Sequence, residues 1–445
     1  MGRTLLRLFS SLPLFALAAC GSVKDAGPDA STVDADISGT ATVETESVAF
    51  GVAAGTNVGN IDIISMLPNN TVLEAIKTDA GGNATIKVYP GGSVTAVYKH
   101  TADMGADLIT YVGVKPNDTL IFGSRNPSAV GVTQTNLGAQ TYQWVVQAGV
   151  TNHCAFTSCS GACAGVGTSV AVTEFNTCNR SPMDILYIAL GANGLVSHYN
   201  FRANVAFTAG QTLPAVGWAA AQNATVNITG IPAEVSNVSG NWATVLDGAT
   251  EYNYAQSYNG APTGGAFTST FAFHPTGDRS LGRLNMSRPG SFQTIQVIDQ
   301  FNTSTLNQTV ATPTLTPWIQ GGLLVSSALR IASWFLVSDA NSVSDGVVVR
   351  LNWSHVVSSV SHPHQWHIIM PPGQQSLALP KLPAAFNENL PAPQDFIGGQ
   401  VRVFDISTLN GYDAVRATPS RNIMCIECAL RGGDLQRATF SGFVN

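Results

Sequence analysis

The chain has 445 residues, a formal net charge of −6 and 11% charged residues, against roughly 25% in a typical soluble domain. It carries no Lys/Arg run or stripe. That removes the electrostatic basis for a nucleic-acid partner and for polybasic contact with anionic lipid. The length predicts about three domains. Few charges with many β-branched and turn residues predict an all-β fold, with several β-sandwich domains in series after a disordered tether.

Residues 1–19 have the parts of a secretory signal. Arg3 and Arg7 give a basic start, Leu5 to Leu17 an apolar middle, and small residues precede a cysteine. The middle is shorter than the about 20 apolar residues a membrane span needs. Leu17-Ala18-Ala19-Cys20 resembles the bacterial lipobox. The resemblance implies a diacylglycerol on the Cys20 thiol, removal of the signal, and a membrane partner reached through N-terminal acyl chains. Several chains anchor stably where one holds marginally. Gly21 follows the cysteine, and by the same resemblance a non-Asp residue there implies the outer membrane.

Residues 20–46 set Asp25, Asp29, Asp34, Asp36, Glu44 and Glu46 against Lys24. Such a stretch buries too little apolar surface to offset its ordering entropy, so an acidic tether is expected. Asp34 to Gly39 matches the first half of an EF-hand loop. The position for the bidentate acid falls on Thr45, between Glu44 and Glu46, and no helix pattern flanks it. Linker composition accounts for the match.

Residues 47–128 form the clearest module. Strands are expected at 60–64, 71–77, 85–89, 93–98, 108–114 and 119–122, with turns at Thr78 to Asn83 and Pro116 to Asp118. Short strands separated by regular turn signals indicate a β-sandwich. The strand, the Thr78-Asp79-Ala80-Gly81-Gly82-Asn83 turn and the next strand resemble the modules related to the carboxypeptidase regulatory domain. That resemblance implies a structural spacer or an interaction unit.

Residues 129–255 are expected to form a second β domain with a Cys-rich loop, and residues 256–445 a C-terminal β domain. In the second, strands are predicted at 141–148, 169–175, 184–190, 205–207 and 224–228. In the third they are predicted at 267–274, 293–298, 323–337, 347–353, 365–370, 400–406 and 438–444. The apolar run Gly321 to Val337 contains Arg330, which is costly at a bilayer centre. At period two, Leu323, Val325, Leu329, Ile331, Phe335 and Val337 share one face and Ser326, Ala328, Arg330 and Ala332 the other. The run therefore reads as one half-buried strand or a pair of strands.

There are seven cysteines. With Cys20 taken by lipid, an even set remains, which predicts three disulfides in an exported protein. Cys154 with Cys178 would close the Gly/Ser-rich stretch, Cys159 with Cys163 would pair locally, and Cys425 lies a C-x-x-C spacing from Cys428. A zinc site from Cys154, Cys159, Cys163 and Cys178 lacks the spacing of a paired knuckle. A redox role for Cys425 and Cys428 lacks the βαβ context that lowers a thiol pKa. Gly161 to Gly165 mimics a nucleophile elbow with Cys163 at its centre, but without the strand-to-helix setting.

His355, His362, His364 and His367 lie close in sequence. On one strand His362 and His364 share a face and His367 points the other way. A hairpin through 358–361 would return His355 beside them, which makes a metal site geometrically feasible. Satisfied histidines at a turn, with Trp366 as packing, is the competing reading, and Pro363 disturbs regular pairing. The catalytic signatures G-x-S-x-G, S-x-x-K and H-E-x-x-H, the phosphate loop and the dinucleotide fingerprint are missing from the sequence. No cofactor is implied. Carboxylates of a polymer-acting hydrolase would be brought together only by the fold. Trp334, Trp353 and Trp366 would line a sugar surface or pack a core.

The pattern as a whole is similar to uncharacterised lipoproteins of myxobacteria-like bacteria. The shared features are a lipobox, an Asp/Ala/Gly/Pro tether, a regulatory-like sandwich, and the segments Trp366 to Pro372 and Leu379 to Pro383. The expectation is a structural or binding protein of the cell envelope, with a surface polysaccharide or an envelope protein as its partner. A hydrolase and a metal-binding envelope protein remain as alternatives.

Overall fold

The computed structural model describes residues 38–47, 56–100, 104–124, 135–157, 160–176, 181–246, 250–277, 279–288, 294–312, 315–326, 330–338, 342–357, 360–393, 395–424 and 437–443. The signal, Cys20 and residues 20–37 lie outside them. Among the described residues strands dominate, and no helix is long and apolar enough to cross a membrane.

The first module is a β-sandwich. Its strands Asp62–Met66, Val72–Lys77, Asn83–Val88, Gly92–Lys99, Ala106–Val114 and Thr119–Ser124 follow the predicted positions. Between its sheets lie Ala41, Val43, Ile63, Ile86, Val94, Ala96, Ile109 and Phe122. Burying each large aliphatic or aromatic chain contributes about 1.5–3 kcal/mol.

The end of the expected tether requires a correction. Gly39–Ser47 is a strand. It pairs antiparallel with Asn83–Val88 and parallel with Thr119–Ser124. Ala41, Val43, Thr45 and Ser47 alternate inward. Most of these inward residues are small or polar, so the acids between them dominate the composition. Of the inward polar pair, Ser47 Oγ has no hydrogen-bond partner among the described residues, whereas Thr45 does. Thr45 Oγ1 donates to Val58 O at 2.5 Å, and the Glu46 carboxylate accepts from Arg421 Nε at 2.6 Å.

Pairing also crosses the expected domain boundaries. One sheet of twelve strands runs from Thr250–Gly260 through Asn237–Leu246, Arg279–Ser287, Thr294–Asn302, Arg437–Phe443, Gly398–Ile406, Gly346–Val357 and Val360–Met370. It then continues into Ala106–Val114, Gly92–Lys99, Asp62–Met66 and Val72–Lys77. The join is the parallel pairing of Val360–Met370 with Ala106–Val114, which begins at His364 opposite Ala106. From Ser38 onward the described chain is one unit. Residues 47–128 and 256–445 each contribute a strand whose free edge the other satisfies.

At the end built by the first sandwich both faces of this sheet are covered. Ile63 belongs to the core of the first sandwich and Ile64, its neighbour, to a second core under the strands Trp318–Ser326, Ile331–Val337 and Ser376–Ala378. A third core packs the strands Gln222–Thr229, Ala266–Phe273 and Asn307–Ala311 against the other end of the sheet. A fourth lies between the pair Asn136–Gln143 with Ser169–Phe175 and the sheet built on Val150–Phe156, Met183–Gly191 and Val196–Val205. The first core is closed at one side by the short helices Gly411–Arg416 and Ser420–Met424, which bury Val415 and Ile423.

The run Gly321 to Val337 resolves into a pair of strands. Arg330 stands at the turn with φ of 53°. In its second strand Ile331, Phe335 and Val337 share a face, as period two predicts, and that face points outward. Ala332 and Trp334 are buried, while Ile331, Phe335 and Val337 are exposed. The indole of Trp334 is the largest apolar surface in the strand, so its burial fixes the inward side. Trp353 and Trp366 are buried as well, so all three indoles pack a core and none lines a sugar surface.

Candidate functional site: a buried histidine cluster

Gly346–Val357 and Val360–Met370 form the antiparallel hairpin anticipated around 358–361, with His355 opposite His362 and Trp353 opposite His364. His362 and His364 alternate inward with Trp366, and His367 lies on the other face with Ile369. Pro363 sits within the strand opposite Ser354. The parallel ladder to Ala106–Val114 starts one residue later, so the missing N–H of proline costs no bond. Gly105 makes this approach feasible, because a Cβ there would lie 1.9 Å from Pro363 O.

The fold adds three groups that sequence spacing could not bring in. His100, at the end of Gly92–Lys99, places Nε2 3.3 Å from Asp107 Oδ1. Asp395, from the segment that covers the second core, places Oδ2 2.9 Å from His355 Nδ1. His355 Nε2 lies 2.7 Å from the Leu390 carbonyl. Both nitrogens of His355 therefore face acceptors, an arrangement fully satisfied only when both carry protons.

His364 is the opposite case. Its ring stacks on Trp353 at 5.5 Å and meets His355 edge-on at 5.0 Å. Neither of its nitrogens has a hydrogen-bond partner among the described residues. Burial, with His355, His100 and His362 nearby, pushes its pKa down to about 4 and holds it neutral. His367 is pushed to about 3 by burial and by Arg350. Its Nε2 lies 2.7 Å from the Gln365 amide, which is satisfied when its nitrogen faces the imidazole and its oxygen faces Arg350.

The cluster is thus one imidazole clamped between two acceptors beside another with none. Among the described residues no group of three or more His, Cys, Asp or Glu is arranged to hold a metal ion. His355 already uses both nitrogens, and His367 is turned away. Elsewhere, the buried acids are engaged by partners of their own. Asp299 takes a two-pronged contact from Arg283. Asp345 accepts from the Ile406 and Gly411 amides. Glu174 accepts from Thr157 and Ser160, its pKa raised by burial.

The cysteine pairing differs from expectation. Cys154 is bonded to Cys163. The two stand opposite each other in adjacent antiparallel strands, Val150–Phe156 and Gly161–Cys163, with Cα atoms 4.0 Å apart. Cross-strand register, invisible in spacing alone, overrides the expected Cys154–Cys178 and Cys159–Cys163 pairs. Cys159, Cys178, Cys425 and Cys428 lie outside the described residues.

No family model matches the chain, and no curated protein matches it. Solved structures overlap it weakly, among them the three that follow. The Bacillus anthracis TIE protein shares 10% identity over 62% of this chain and 50% of that one, at a TM-score of 0.15. The Streptococcal ancillary pilin shares 7% over 62% of this chain and 98% of its own, at 0.16. The native conformation of E. coli alpha-2-macroglobulin shares 10% over 80% and 26%, at 0.11. The chain spans half the length of the TIE protein.

Proposed function

We propose that this is an exported β-protein of the cell envelope, held at the outer membrane by acyl chains on Cys20, with a structural or binding role. The observation that carries the reading is the Cys154–Cys163 disulfide. Disulfides persist in oxidising compartments, which is where the Leu17-Ala18-Ala19-Cys20 signal would deliver the chain. The continuous twelve-stranded sheet, packed against several cores, supports a rigid spacer or display element that presents its loops to a polysaccharide or an envelope protein.

The test is Cys20→Ser in the full-length protein. Metabolic labelling with a fatty acid should mark the parent and not the variant, and the variant should move from the membrane to the soluble extracytoplasmic fraction. Labelling that survives the substitution, or a variant that stays membrane-bound, would sink the anchor. Recovery of Cys154 and Cys163 as free thiols from cells lysed under alkylating conditions would sink the compartment.

A further inference from the structure

Three loops meet beside the fourth core. Residues 145–149 join Asn136–Gln143 to Val150–Phe156, residues 164–168 follow Gly161–Cys163, and residues 214–218 lead into Ala219–Ala220. Leu213, Trp144 and Val216 are buried in that core, and Trp218 packs on it half-buried. The outward side chains of the loops are of one kind. Val145 is 59% exposed, Val146 49% and Val166 72%, and Ala148, Pro214 and Ala215 are exposed as well. No Asp, Glu, Lys or Arg occurs from residue 126 to 173 or from 203 to 233. Clustered apolar side chains in water mark a contact surface.

Much of the backbone in these loops is tied off from within. The ring of buried His153 lies 5.7 Å from that of Trp144 and 5.5 Å from that of Trp218. His153 Nε2 accepts from Gln147 N at 3.2 Å, and its Nδ1 donates to Gly165 O at 2.9 Å. Trp144 Nε1 donates to Gly167 O at 2.7 Å, and Trp144 N to Thr168 O at 3.0 Å. Val145 N donates to Val216 O at 3.0 Å, and Val145 O accepts from Trp218 Nε1 at 2.5 Å. Gly167 N donates to Ala164 O at 2.8 Å.

We propose that these three loops dip into a phospholipid bilayer, as far as the boundary between headgroups and acyl chains. Two features select lipid over a protein or a glycan. Loops that bind a protein or a glycan turn polar groups outward. Here the exposed side chains are apolar, and buried Trp144 and His153, with Trp218, take up backbone groups that are costly to carry into lipid unbonded. The second feature is charge. Uncharged loops neither pair with anionic headgroups nor lose the hydration of an ion on entry, so the surface they match is a zwitterionic one. Trp218 fits the same boundary, with an apolar ring and an N–H already engaged. The loops engage lipid whether or not Cys20 is acylated. Beside one acyl chain they supply the second contact that stable attachment needs.

The test uses the full-length protein with excess phosphatidylcholine vesicles, brominated on the acyl chains near the headgroup in one preparation and near the bilayer centre in another. The Trp218 signal is the difference in emission between the parent and Trp218→Phe. Shallow bromines should quench it, deep ones much less, and equally at low and high salt. Combining Val145→Ser, Val146→Ser and Val166→Ser should abolish the quenching. These positions are exposed, so the fold should hold, checked by circular dichroism and the intact 154–163 disulfide. Hydrogen exchange gives a reading without the Trp218 variant. Peptides covering 145–149 and 164–168 should slow on vesicles in the parent and not in the triple variant. Absence of quenching and of slowed exchange in the parent overturns the proposal. So does quenching that survives the triple substitution or disappears at high salt. Self-association through these loops without quenching assigns them to a second copy and overturns it too. Shallow quenching in a protein that takes up no fatty acid at Cys20 upholds the loops while the anchor fails.

Discussion

Trp366 donates its indole N–H to Thr110 Oγ1 at 2.8 Å, across 256 positions of the chain. Thr110 in turn shares a hydrogen bond with Thr95 at 2.8 Å, and all three side chains are fully buried. This bridge lies beside the parallel join that merges the first sandwich with the C-terminal strands. Trp366→Phe should keep the packing but orphan part of the bridge, at a cost of about 1–3 kcal/mol. Trp366→Ala should cost about 3–5 kcal/mol. Urea denaturation checks both, and the two halves should unfold in one transition because they share a sheet.

The helical cap is tied to the sandwich by two ion pairs. Arg421 Nε meets Glu46 at 2.6 Å, and Arg416 Nε meets Asp118 at 2.7 Å. Asp118 and the more exposed Asp413 hold the Arg416 guanidinium above its ordinary pKa, against the effect of burial. Removing one partner of a buried pair strands the other, so Arg416→Ala and Arg421→Ala should each cost about 3–5 kcal/mol. Replacing both Arg421 and Glu46 with apolar residues should recover part of that loss. A double-mutant cycle in denaturant measures it.

The Cys154–Cys163 bond closes a short loop, its ends separated by 9 in sequence. Chain-entropy reasoning assigns such a loop about 2–3 kcal/mol. Cys163→Ser should lower stability by that amount, and reductant should have a smaller effect on the variant than on the parent. Mass mapping of the untreated protein should return the 154–163 linkage. A 154–178 linkage would contradict the strand register.

His364 is pushed to about 4, and His367 and His274 to about 3. Burial is the largest cause in each case. Folded values below the unfolded value of about 6.5 mean that the unfolded chain binds more protons as pH falls. Stability should therefore be complete above about pH 6.5 and decline from there toward pH 3–4. Each histidine contributes a slope of up to about 1.4 kcal/mol per pH unit. His364→Leu should reduce the slope between pH 4.5 and 6 by up to that amount, measured as urea midpoints at stepped pH. An unchanged slope would mean that His364 is protonated in the fold.

The strands were legible because alternation survives in residues such as Ile86, Val88, Ile368 and Met370, whose inward faces are large and apolar. Gly39–Ser47 was not, because its inward residues are mostly small or polar and its acids dominate the composition. The facing of His362, His364 and His367 followed from period two. His100 and Asp395 joined the cluster only through the parallel join and the covering segment, and long-range pairing leaves no mark in local spacing. The Cys154–Cys163 partnership was hidden for a related reason, since register is a property of two strands together.

Gly39–Ser47 also sets how the molecule would bear load. A pull directed along Gly39–Ser47 meets a strand bonded on both edges, antiparallel to Asn83–Val88 and parallel to Thr119–Ser124. Such a pull shears two ladders at once instead of peeling one bond after another. The first described strand is then a mechanical clasp, strongest along its own axis.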